Sequence, residues 1–290
     1  MNKVYACIDG LANTPAVIDW AIWSAQALDV PLEFLHVLER PPERAVFVDY
    51  SGALGLGAQD SLLYELSELD EQQARLAQES GRRVLLAAQA RATAAGLTEQ
   101  SGRLAGQMRH GDLADTALEL EPDARLFVLG MHVRDGRSAT TRLDHHVESL
   151  IRTVQRPVLV VPGTTFTAPE RVVIAFDGSL TARHLIAKVA ASPLLAGLPL
   201  LVAMAGVETP LVREQLAEAQ RILELGGFQV STVLIDGEPE LVLLPLLTTT
   251  PGAALLVMGA YGHSRIRQFI VGSTTTLLLR SSEVPVLILR

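Results

Sequence analysis

Cysteine is almost missing from this chain of 290 residues. Cys7 stands alone, which excludes an intrachain disulfide framework and any cysteine-based zinc cluster. A single thiol in an apolar strand reads as a small, inert, buried hydrophobe, and the scarcity fits a reducing cytoplasm. Charge is sparse too, at 19% of residues against 49% hydrophobic and a mean hydropathy of +0.29, a balance that excludes a disordered chain. No apolar run reaches the roughly 18 residues of a membrane span. The longest, Leu194 to Val207, is interrupted by Gly197 and Pro199, and the opening MNKVYACIDG lacks the apolar core of a signal peptide. A soluble protein without a membrane partner is expected. A net charge of −8 removes the basic surface that non-specific nucleic-acid binding requires. Also missing are a G-x-S-x-G elbow, a Walker A loop, an H-E-x-x-H pair and a dinucleotide G-x-G-x-x-G after the first strand. No catalytic residue is therefore assigned.

What is present is repetition. An apolar strand ends in Asp9-Gly10, a helix opens at Thr14-Pro15 with apolar positions at helical spacing, and a second strand covers Leu32 to Leu38. The same order returns at Val172 to Asp177, Leu180 to Leu195 and Leu200 to Ala205. Asp9 and Asp177 are 168 positions apart, as are Pro31 and Pro199, which indicates a duplicated unit. The next landmark, His110-Gly111-Asp112 against Asp236-Gly237-Glu238, repeats at 126, so the first copy carries 42 extra residues. They fall in the Pro- and Gly-rich stretch 41–60 and in a helix expected over Ser61 to Ala95. That helix carries Leu62, Leu66, Leu69, Leu76 and Val84 to Leu86 as an intermittent stripe, expected to pack on the core first and to serve a partner second. Each copy closes with two buried strands, Leu126 to Leu129 and Val158 to Val161 in the first, Leu255 to Met258 and Val286 to Leu289 in the second. Strands alternating with helices predict an α/β fold. It consists of two repeated open parallel-sheet domains, Rossmann-like with helices on both faces, at 1–163 and 170–290 about a Pro/Thr-rich linker. Two such copies predict a pseudo-dimer within the chain and leave a homodimer open.

The second copy holds a glycine series that the first lacks. Gly259 halts a buried strand, Gly262 follows, and Gly272-Ser273 precede a helical segment beginning at Thr274. Glycine lets backbone approach a ligand closely, Ser273 can cap the helix, and the helix N-terminus favours an anion. Asp177 and Gly259 end strands that face one crevice. Arg265 and Arg267 lie between the glycines and can neutralise phosphate, whereas His263 is a weaker signal. Residues 1–166 carry 15 basic and 22 acidic side chains and residues 167–290 carry 9 and 10, so the half with the glycines repels an anion less.

The spacing G-x2-G-x9-G-S, between two buried strands, resembles the nucleotide-binding signature of the universal stress protein family. The resemblance covers nearly the whole chain in a tandem two-domain form. It implies a cytoplasmic stress-response or regulatory protein that binds ATP, with or without magnesium, and hydrolyses it slowly at most. It further implies that Asp177 and Gly259 sit by the ribose, that the backbone near Ala205 meets adenine, and that Gly262, Gly272, Ser273 and Thr274 hold the phosphates. Met204-Ala205 departs from the family-like His36-Val37 of the first copy. The rival readings are an interaction protein or carrier of a small apolar ligand, and an adenylyl-transferring enzyme whose S-G-G-x-D-S loop or H-x-G-H turn is absent.

In the first copy the corresponding loop reads GMHVRDGRSATTRLDHHVES, with Val133 near the second glycine position and Asp144-His145 near the Gly-Ser pair. An aspartate there would repel phosphate. His132, His145, His146, Asp135 and Asp144 invite a metal reading. Adjacent His145 and His146 on a helix point about 100° apart, which disfavours one shared ion. A degenerate nucleotide loop, with no metal, is expected.

Overall fold

The computed structural model describes residues 2–39, 56–98, 102–132, 144–260 and 273–290, with backbone alone for 56–66 and 273. Along the first half the elements are β1 (Lys3–Cys7), α1 (Thr14–Leu28), β2 (Leu32–Leu38), α2 (Leu56–Ala94), β3 (Leu104–His110), α3 (Leu113–Leu120), β4 (Ala124–Gly130), α4 (His145–Thr153) and β5 (Val158–Val161). The second half repeats them as β6 (Arg171–Ala175), α5 (Leu180–Ala190), β7 (Leu200–Ala205), α6 (Pro210–Leu225), β8 (Val230–Ile235), α7 (Pro239–Thr249), β9 (Ala254–Gly259), α8 (Ser273–Ser281) and β10 (Val286–Leu289).

The strands form one ten-stranded sheet in the order β3-β2-β1-β4-β5-β10-β9-β6-β7-β8. Each half is parallel, and the halves meet in one antiparallel seam that pairs Val286 with Val160, Leu287 with Leu159 and Ile288 with Val158. The repeat holds residue by residue: Leu32 pairs with Leu104 as Leu200 pairs with Val230. Arg290 reinforces the seam, its Nη1 donating to the carbonyls of Arg152 (3.1 Å) and Val154 (2.7 Å) at the end of α4. The linker is anchored by Phe166, edge-on to Trp20 of α1 at 5.0 Å.

Helices cover both faces, which explains the continuous apolar runs of the central strands. Alternation sends Val4 and Ala6 to the core under α1, α2, α5 and α6, and Tyr5 and Cys7 to the core under α3, α4, α7 and α8.

Two expectations need correction. The helix expected over Leu180 to Leu195 stops at Ala190, and a separate 3-10 turn covers Pro193–Leu195. Pro193 lacks an amide hydrogen and disfavours helical backbone at Ser192. The stripe on α2 does not pack throughout: Leu69 and Leu76 are 52% and 65% exposed, and Leu86 is exposed as well. The helix reaches the body at Gly81, where an added Cβ would lie 2.6 Å from His36 and 2.9 Å from Met108. Those residues stand at the carboxyl ends of β2 and β3, so the helix upstream of Gly81 runs past the edge of the sheet.

Candidate functional site

Adjacent strands whose helices leave to opposite faces open a crevice beyond their carboxyl ends. This happens at β1/β4 in the first half and at β6/β9 in the second. The antiparallel seam points the two sets of strands in opposite directions, so the crevices lie at opposite edges of the sheet.

The same Asp-Gly turn starts both. Asp9 Oδ1 accepts from the Leu11 amide at 2.8 Å, Asp177 Oδ1 accepts from the Ser179 amide at 3.0 Å, and the following glycines have φ of +83° and +72°. Such backbone is strained for any residue with a Cβ, which accounts for glycine at Gly10 and Gly178.

Beyond that turn the halves part. In the first, Asp9 Oδ1 also accepts from the Thr14 hydroxyl (2.9 Å), and its Oδ2 accepts from His132 Nε2 at 2.6 Å. Asp144 caps α4, its carboxylate accepting from the amides of His146 and His132, both at 2.9 Å. His146 Nδ1 lies 3.2 Å from Glu39 Oε1. Asn13 is buried over Gly130 and donates to the Met131 carbonyl at 3.2 Å, and a Cβ on Gly130 would collide with its amide. The chain's own carboxylates and amide occupy this crevice.

In the second half Asp177, Ala205 and Gly259 stand at the carboxyl ends of three neighbouring strands, β6, β7 and β9. Among the described residues an added Cβ at Gly259 would meet Thr181 at 3.7 Å and Leu185 at 3.9 Å, ordinary contacts. Thr181, in the place of Asn13 by the 168-residue repeat, does not crowd it. Ser179 caps α5, its hydroxyl accepting from the Ala182 amide at 3.1 Å. Thr275 donates to the Gly259 carbonyl at 3.4 Å and ties the first turn of α8 to the end of β9. Thr274 is exposed beside it. Helix α8 already includes Ser273, so Ser273 lies within the helix rather than at its cap. No acidic side chain lies in the first turn of α8, whereas α4 has the Asp144 cap and Glu148. Gly262, Gly272, His263, Arg265 and Arg267 lie outside the described residues.

Sequence reading missed the Asn13, Thr14 and His132 contacts and the Thr275 tether. The 168-residue offset equates Asn13 with Thr181, the signal that could have found them, but only the fold places them over Gly130 and Gly259. Among the described residues no cluster of three His, Cys, Asp or Glu side chains is placed to hold a metal ion, and the rings of His145 and His146 stand 5.8 Å apart at 82°. Cys7 is buried as expected; burial, with the Asp9 carboxylate adding to it, pushes its thiol up to about 12, so it stays protonated. A cavity of about 380 Å³ opens between α5 and α6, lined by Phe176, Ile186, Leu211, Gln215 and Ile222 among others, and includes none of Asp177, Ala205 or Gly259.

The model of the universal stress protein family matches residues 1–162 and again residues 169–290. The chain belongs to the universal stress protein family. A universal stress protein from Synechocystis sp. is 32% identical over 295 residues, with both chains covered in full. Among solved structures, a universal stress protein from Archaeoglobus fulgidus superposes with a TM-score of 0.66 at 16% identity, covering 100% of this chain and 98% of that one. A putative universal stress protein from Pseudomonas aeruginosa gives 0.61 at 16% identity, covering 100% and 93%. The tandem form and the α/β fold expected from the repeat are thus those of the family. No helix among the described residues is long and apolar enough to cross a membrane.

Proposed function

We propose that this universal stress protein binds ATP, or another adenine nucleotide, in the crevice of its second half, and acts as a stress-response or regulatory protein of the cytoplasm. One observation carries the reading: of two crevices built by the same repeat, the first is filled by Asp9, Asn13, His132 and Asp144, while in the second no described residue crowds the glycine and the first turn of the helix has no acid. A carboxylate at a helix N-terminus takes the place a phosphate would use and repels it. On this reading the ribose lies by Asp177 and Gly259, adenine by the backbone at Ala205, and the phosphates by Gly262, Gly272, Ser273 and Thr274 at the start of α8. Magnesium would accompany the phosphates. Domain limits of 1–163 and 170–290 belong to the same proposal. The nucleotide serves as a bound signal with at most slow hydrolysis, because nothing in the described crevice is placed to orient an attacking water.

Calorimetric titration with ATP and magnesium tests this. One site per chain is expected, together with stabilisation of about 2.7 kcal/mol at a hundredfold excess over the dissociation constant. Two equivalent sites would show that the first crevice is not closed. Absence of binding would favour the carrier or interaction reading, and turnover on the order of 10 per second would make the protein an enzyme.

A further inference from the structure

We infer that the part of α2 upstream of Gly81 is a self-association arm, pairing antiparallel with the same segment of a second copy of this chain. The repeat shows that it is an addition. Leu85, Ala88 and Ala92 of α2 are buried where α6 has Leu216, Ala219 and Leu223, a constant offset of 131, but α6 starts at Pro210, the position of Glu79. Helix α2 instead continues back to Leu56, a span of about 37 Å at 1.5 Å per residue. Residues 67–77 of this stretch are all exposed. A helix gains most of its stability by packing an apolar face, so an arm of this length beyond the body lacks the support that its own sequence demands.

The face it presents is suited to another helix. Leu62, Leu69 and Leu76 recur at seven-residue spacing with Leu66 between them, the period of a two-helix seam, and Leu69 and Leu76 are exposed. Charge selects the occupant and its direction. Glu68, Asp70 and Glu71 precede the leucine at 76, while Arg75, Arg82 and Arg83, with Glu79 the one acid among them, surround and follow it. All seven are exposed. Parallel pairing would stack acid on acid. Antiparallel pairing that brings Leu69 of one copy to the level of Leu76 of its mate sets Asp70 of each beside Arg75 of the other, twice across the pair, and keeps the acids 68–71 of the two copies apart. The arm thus complements itself.

The test uses the full chain without nucleotide, so that its outcome is independent of the proposed ATP site. Sedimentation over a concentration series should give a particle of twice the 31.2 kDa chain mass. The double variant Leu69→Glu, Leu76→Glu should return it to the single-chain mass with the body still unfolding cooperatively, since both residues are exposed in the single chain. Orientation is read from cysteine variants, Cys7 being buried: a mixture of Leu69→Cys and Leu76→Cys copies should form disulfide dimers readily, and either variant alone should not. A monomer at every concentration, or one that gains mass only with a different protein, overturns the inference. So does a dimer that survives the double glutamate variant, or efficient cross-linking of Leu69→Cys with itself.

Discussion

The two halves of this molecule share a strand order, a register and an Asp-Gly turn, yet among the described residues side chains crowd the strand-end glycine of the first and not that of the second. The difference rests on a few side chains. His132 secures Asp9, Asp144 caps α4 and holds the His132 amide, and Asn13 lies over Gly130. The corresponding parts of the second half are Thr181, which stands clear of Gly259, and α8, which has no acid in its first turn. A duplicated fold can therefore keep its backbone scaffold in both copies and differ at strand ends, where side chains do not contribute to the core. The helix pairs differ likewise. Arg91 holds Asp19 through two hydrogen bonds of 2.5 and 2.6 Å between α2 and α1, while α5 and α6 leave a cavity between them.

The largest effect is expected from the paired aspartates. Asp177→Ala should weaken ATP binding by roughly 1.5–3 kcal/mol, the range for hydrogen bonds to charged groups, and Asp9→Ala should leave the affinity unchanged. Titration calorimetry on both variants decides the matter, and equal losses would erase the distinction between the crevices. The paired glycines come next. Gly130→Ala must displace Asn13 and should cost about 1–3 kcal/mol in denaturant unfolding. Gly259→Ala should unfold like the parent but bind nucleotide less well, if the space beside it belongs to the ligand. A smaller loss, about 1 kcal/mol, is expected for Asp144→Ala, which removes the cap of α4. Its ATP stoichiometry should remain one.

The smallest effect concerns alkaline pH and belongs to the first half alone. The Cys7 thiol has an ordinary value of 9.0 and is raised to about 12 in the fold, chiefly by burial. Its proton is kept more tightly in the folded state, so this contribution to stability is complete below pH 9 and is lost as pH rises toward 12. Burial raises the Tyr5 phenol too and acts in the same direction. Cys7→Ala should flatten the decline in melting temperature above pH 9, while a second-half variant such as Gly259→Ala should leave its slope unaltered.

Much of the fold was legible in the chain. Val158–Val161, Leu200–Ala205 and Val286–Leu289 were bounded correctly because short apolar runs between turn residues have no other stable place than a sheet covered on both faces. The helix after Ser179 is shorter than its pattern predicts, since helical periodicity continues through Leu194 and Leu195 while the backbone restriction at Ser192-Pro193 separates them from it. The leucines of α2 misled because a helical stripe indicates that a face wants burial without saying which surface supplies it. At the candidate site, Asp177 and Gly259 were placed on neighbouring strands by topology rules alone.

By itself, then, the sequence determined the duplication, the parallel α/β halves, the surplus before the third strand, and which half keeps the glycine series, because periodicity and turn chemistry are local and survive in a linear reading. The tertiary structure alone decided that the halves join through β5 and β10 into one sheet with crevices at opposite edges. It also decided that Asn13, His132 and Asp144 converge on the first crevice, and that the α2 leucines overhang the sheet. Those are contacts between residues up to 138 positions apart, and no local pattern encodes which distant partner a side chain will meet.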